Sequence, residues 1–117
     1  MRHTSKEKMF AKTTAFDIDL QEIALYAKLL SHPARVAIVK LLAERQTCIS
    51  GDIANELPLS RATVSQHLQE LKQAGLIKGE INGLNVNYCL DAAKWADVKA
   101  KFDGLFLATT QCFDCNC

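Results

Sequence analysis

The sequence predicts a mainly α-helical fold with one small β-hairpin, and three observations carry that expectation. Apolar residues recur every three or four positions towards both ends of the chain, the spacing of a helix stripe. Pro33, Pro58 and Gly75 cut the middle into short helices. Asn82-Gly83 stands between two alternating runs, and both residues tolerate positive φ, so the pair marks a hairpin turn.

Each element follows in order. Residues 1–16 form a basic, polar lead in which Arg2, Lys6, Lys8 and Lys12 stand against Glu7, and disorder is the expectation there. Asp19 with Glu22 resembles a capping box, and Leu20, Ile23, Ala27 and Leu30 then form one helical stripe. Pro33, after Ser31 and His32, ends that helix and opens a second. Its Val36, Ile38, Val39, Leu41 and Leu42 face several directions, which places the second helix at the centre of the core.

Thr47, Cys48 and Ile49 read as a short extended link, and Ser50 as the cap of a brief third helix holding Ile53, Ala54 and Leu57. Pro58 ends it. Ser60 caps a fourth helix, Arg61 to Ala74, stopped by Gly75. Its buried stripe is Val64, Leu68 and Leu71, leaving Arg61, Ala62, Ser65, Gln66, Gln69 and Gln73 outward. The runs Leu76 to Ile81 and Leu84 to Leu90 form the hairpin strands, and Asp91 caps a last helix striped by Trp95, Val98, Phe102 and Leu105. A short helix, a tight proline turn and a helix with a small polar outer face form a helix-turn-helix, and a hairpin straight after it is a wing. The expected organisation is a basic lead over 1–16, a winged helix-turn-helix domain over 17–108 and a cysteine-rich tail over 109–117.

At 117 residues, 49% hydrophobic and 23% charged, the composition is that of one soluble globular domain. No run approaches the roughly 18 apolar residues that span a membrane, and the N-terminus lacks the apolar centre of a secretory signal. The expectation is therefore a cytoplasmic protein without a membrane partner, its cysteines in a reducing compartment. Fourteen basic against thirteen acidic residues sum to +1, which by itself speaks against a strongly basic nucleic-acid binder. Distribution changes that reading: within 61–78, Arg61, Lys72 and Lys78 stand against Glu70 alone. No paired carboxylates, Ser/His/Asp set or phosphate-cradling glycine loop is visible, so an enzyme is not expected.

A helix of about 14 residues with small outward side chains can enter the major groove of DNA, where each base pair shows a distinct pattern of donors and acceptors. The candidate contacts are Ser60, Arg61, Ala62, Thr63, Ser65, Gln66 and His67, with Arg61 suited to guanine and Gln66 to adenine. His67 has a second reading, as a histidine that packs the helix. Lys72, Lys78, Asn82, Gly83 and Asn85 would meet the backbone or the minor groove. The two terminal stripes exceed what a small wing and turn can cover. Pairing Leu20, Ile23, Ala27 and Leu30 with Trp95, Val98, Phe102 and Leu105 across a two-fold axis would make a homodimer for a palindromic operator.

From Leu29 to Leu90 the chain resembles the ArsR/SmtB family of small dimeric bacterial repressors, including the arsenical-resistance operon repressors. Leu30-Ser31-His32-Pro33-Ala34-Arg35-Val36-Ala37-Ile38 is similar to that family's L-x-x-P-x-R-x-x-I opening of the second helix. Leu59-Ser60-Arg61-Ala62-Thr63-Val64-Ser65-Gln66-His67-Leu68 is similar to its recognition helix, L-S-x-x-T-V-S-x-H-L. Ala74-Gly75-Leu76-Ile77, followed by Gly83 and Tyr88, resembles its helix exit and wing.

The resemblance implies an effector that releases the repressor from DNA. The family's zinc site, an Asp-x-His with a His-x-x-Glu/His on the last helix, is absent: Asp97-Val98-Lys99 stands there, and the histidines are His3, His32 and His67. Its Cys-x-Cys-Asp-Leu site is reduced to one cysteine, Cys48. The chain carries instead Cys112-Phe113-Asp114-Cys115-Asn116-Cys117. Three thiolates suit a soft ion: Cys112, Cys115 and Cys117 match trivalent arsenic or antimony, while zinc or cadmium would need a fourth ligand such as Cys48. No obligatory cofactor is expected. The alternatives are a thiol-based redox or reactive-sulfur sensor on the same scaffold, a regulator with no metal site, and a metal-buffering domain. Cys89, beside Tyr88, is expected only to pack.

Overall fold

His32 and Pro33 decide where the second helix begins. The His32 imidazole accepts from the Ala34 amide through Nδ1 at 3.0 Å, and Pro33 takes the first helical position, where a missing N–H costs nothing. In the computed structural model, which describes residues 14–45, 49–50, 53–82 and 85–111, the elements run in one order. They are α1 (Ile18–Leu29), α2 (Pro33–Arg45), β1 (Ile49–Ser50), a 3₁₀ turn (Ile53–Glu56), α3 (Arg61–Gln73), β2 (Ile77–Asn82), β3 (Asn85–Leu90) and α4 (Ala92–Thr110). This is a winged helix-turn-helix.

Residues 29–97, the head, form one compact unit. Ala34, Ile38 and Leu42, four residues apart on α2, are buried with Ile53 and Ala54 of the 3₁₀ turn, Val64, Leu68 and Leu71 of α3, and Leu76 and Ile77. The second helix does not turn apolar side chains inward all round: Val36 is 47% exposed, because one stripe suffices to meet α3 and the sheet. Gly75 ends α3 with φ +82°, its amide donating to the Lys72 carbonyl and the next amide, of Leu76, to Leu71. That is a Schellman motif, and it turns the chain straight into β2.

The sheet has three antiparallel strands in the order β1–β3–β2. The strand β1 replaces part of the expected link and takes in Ser50, and the expected cap at its side chain lies outside what the structure describes. Asn82 pairs with Asn85 across the hairpin, so the connection falls at 83–84, one residue later than an Asn82-Gly83 turn; 83–84 lie outside the described residues. Asp91 caps α4 as expected, its carboxylate accepting from the Lys94 amide at 3.0 Å. The Trp95 indole donates to the Leu76 carbonyl at 2.8 Å, half-buried within the head.

The second unit takes in described residues 14–28 and 98–111. Its helix starts at Ile18, with the Asp17 carbonyl accepting from the Gln21 amide at 3.1 Å. The expected capping box of Asp19 and Glu22 does not form; Glu22 lies 3.0 Å from the Lys101 ammonium and ties α1 to α4. Tyr26 and Val98 are its buried residues. Among the proposed dimer contacts, Leu20, Ala27 and Leu105 are exposed and Ile23, Leu30 and Phe102 half-buried. Val98 at 2% exposure and Trp95, with its indole bonded inside the head, are corrected: the chain itself uses them. Phe16, Ile18, Leu25, Phe106 and Leu107 are exposed instead, and α4 runs to Thr110. Among the described residues, no helix is long and apolar enough to cross a membrane.

Candidate nucleic-acid interface

The outward face of α3 is built by a cap and a period. Ser60 holds an extended backbone, φ −69° and ψ 155°, and its hydroxyl oxygen accepts from the Thr63 amide at 3.2 Å. The same oxygen lies 2.9 Å from the Thr63 hydroxyl. With Val64, Leu68 and Leu71 turned inward, Arg61, Ala62, Ser65, Gln66, Gln69, Lys72 and Gln73 are exposed along the other side. The arrangement presents a hydroxyl, a guanidinium and amides over a short span, groups that fit base edges and phosphates.

His67 is the exception. It is 8% exposed, so its place among the DNA contacts is corrected: at this point of the helix the side chain faces the core. Its Nδ1 accepts from Arg35 Nε at 3.1 Å, which requires an unprotonated nitrogen there, and its ring centroid lies 4.5 Å from that of His32. Burial lowers the His67 pKa from its ordinary value, and the nearby His32 and Arg35 lower it further.

Arg35 is the hub of this contact. Its guanidinium also donates to the Leu29 carbonyl at 3.3 Å and forms an ion pair with Glu70. One arginine of α2 therefore holds two residues of α3. The pair also changes the charge of the candidate face, because Glu70, the acid set against Arg61, Lys72 and Lys78, is engaged by Arg35. Sequence patterning offered Arg35 only as part of a motif, since a partner 35 positions away leaves no local signal.

Lys78 on β2 is exposed. Asn82 and Asn85 close the hairpin as a registered pair, and Gly83 lies outside the described residues. So do Cys48, Cys112, Cys115 and Cys117. Among the described residues, no group of three or more His, Cys, Asp and Glu could hold a metal ion. Cys89 does more than pack. It is disulfide-bonded.

The signature of the family described as "Bacterial regulatory protein, arsR family" matches residues 32–78, from the cap of α2 through α3 into β2. The cadmium resistance transcriptional regulatory protein CadC of Listeria innocua is 32% identical over 84 residues, covering 72% of this chain and 71% of that protein. The chain belongs to the arsR family. The transcriptional repressor SmtB of Mycobacterium tuberculosis is 43% identical over 61 residues, 52% of this chain but only 44% of SmtB, so the chain spans less than half of that relative. Among solved structures, the homodimeric winged helix-turn-helix DNA-binding domain Mb0332 from Mycobacterium bovis superposes with a TM-score of 0.56 at 26% identity, covering 81% of this chain and 84% of that one. The matched residues hold α2 and α3 of the head.

Proposed function

We propose that this chain is a DNA-binding transcriptional repressor that acts as a homodimer on a palindromic operator and is released by an effector bound through thiols. The observation that carries the reading is the polar outer face of α3, capped by Ser60 and set beside a hairpin, in a member of the arsR family. Arg61, Ala62 and Gln66 would read bases, while Ser60, Thr63, Ser65, Lys72, Lys78, Asn82, Gly83 and Asn85 would hold the backbone. Arsenite or antimonite at Cys112, Cys115 and Cys117 is the effector we favour, because three neighbouring thiolates match a trigonal soft ion; zinc or cadmium with Cys48 comes next. An effector at the end of the last helix needs a coupling of only about 1–3 kcal/mol to empty an operator.

The test is fluorescence anisotropy with a duplex of its own promoter. Affinity should fall steeply with salt, and arsenite should dissociate the complex. An unchanged arsenite response in a Cys112/Cys115/Cys117→Ser variant would remove that sensor assignment. A second reading, a thiol switch, is favoured by the disulfide at Cys89. Mass spectrometry of peroxide- or polysulfide-treated protein, with operator affinity measured before and after reduction, separates it from metal sensing.

A further inference from the structure

A cleft of about 200 Å³ opens between α3 and β3, lined by Ser65, Leu68, Gln69, Lys72 and Tyr88. Ser65, Gln69 and Lys72 stand at i, i+4 and i+7, one stripe along the edge of α3. Among the described residues, the side chains that line it carry two hydroxyls, an amide and an ammonium, all able to donate, and no carboxylate. Among the described residues, the Lys72 ammonium has no ion-pair partner.

Gly79 stands close to two of these side chains. It lies opposite Tyr88 in the β2–β3 register, and a Cβ at 79 would stand 3.1 Å from Tyr88 Cε1 and 3.5 Å from Lys72 Nζ. A side chain there would crowd the Tyr88 ring, while meeting the Lys72 ammonium at ordinary contact distance. The glycine is explained by this close approach, not by an unusual backbone angle.

We propose that the cleft is a seat for one backbone phosphate of DNA, with Lys72 as counter-charge and Tyr88, Gln69 and Ser65 as hydrogen-bond donors. The inference rests on the repressor reading above and extends it to Gln69 and Tyr88. A helix about 10–12 Å across fills a major groove about 12 Å wide, so the sugar-phosphate strands that border the groove run along the helix flanks. The cleft lies on one such flank, between the base-reading face and the wing. A phosphate held there fixes the register of the helix without reading sequence.

The experiment uses the full chain with its promoter duplex and a random-sequence duplex. Lys72→Met should weaken both complexes by a similar factor, about tenfold, and reduce the salt slope by about 1. Tyr88→Phe should cost about three- to tenfold with an unchanged salt slope and an unchanged unfolding midpoint. On duplexes with one phosphate at a time replaced by a neutral methylphosphonate, one position should weaken the wild type while leaving Lys72→Met unaffected. Unchanged affinity in both variants, or a Lys72→Met loss that persists at every neutralised position, overturns the phosphate seat and leaves the repressor reading standing. A wild-type protein that binds neither duplex overturns the repressor reading, and the seat with it.

Discussion

The head and the unit made of α1 and the distal part of α4 solve the problem of burial differently. The head covers its own apolar surface: ten of the buried apolar side chains, from Ala34 to Ile77, lie within residues 29–97. The other unit buries Tyr26 and Val98 but leaves Phe16, Ile18, Leu20, Leu25, Leu105, Phe106 and Leu107 exposed. Val36 is the head's one large exposed apolar side chain among the described residues. Isolated exposed apolar residues are ordinary; seven in one unit are the surface on which the proposed dimer rests. The head buries its own apolar stripes, whereas in the proposed homodimer a second copy would cover the end helices.

Four measurements break or sharpen that contrast. Leu71, fully buried in the head, should cost about 2–5 kcal/mol when replaced by alanine, read as a shift in urea unfolding. Phe106→Glu should leave the head's near-ultraviolet signature intact but give a monomer by sedimentation, with operator affinity down about a hundredfold as two linked half-sites become independent. A Phe106→Glu protein that remains dimeric would show that the partner face lies elsewhere.

Arg35→Met tests the clamp inside the head. It strands Glu70 and the acceptor nitrogen of His67, and should destabilise the protein by about 1–3 kcal/mol in thermal unfolding. Glu70→Gln should recover part of that loss in the double variant, since it removes the unpaired charge.

The smallest effect is on pH. Because His67 in the fold binds a proton less readily than in the unfolded chain, its contribution is complete above about pH 6.5 and is lost as pH falls towards the lowered folded value. Melting between pH 7.5 and 5.5 should show a step of a few degrees that His67→Gln diminishes. An unaltered step would assign it to other groups.

Much of this molecule is local in origin, and that part was legible. Ser60, Asp91 and Gly75 act through backbone groups within a few residues, so the caps and the stop of α3 follow from residue type and spacing. The polar face of α3 follows from the period that buries Val64, Leu68 and Leu71.

Tertiary structure decided the rest, because partners distant in sequence leave no periodic trace. His67 turned inward because Arg35 and His32 meet it from the start of α2. Glu22 left its expected cap for Lys101, β1 became a strand only by finding β3, and Val98 was taken into the chain's own interior. Tyr88 met Lys72 across a glycine whose purpose no sequence pattern declares. Period and capping determine which elements form and which faces they bury; what each side chain then touches depends on contacts made across the fold.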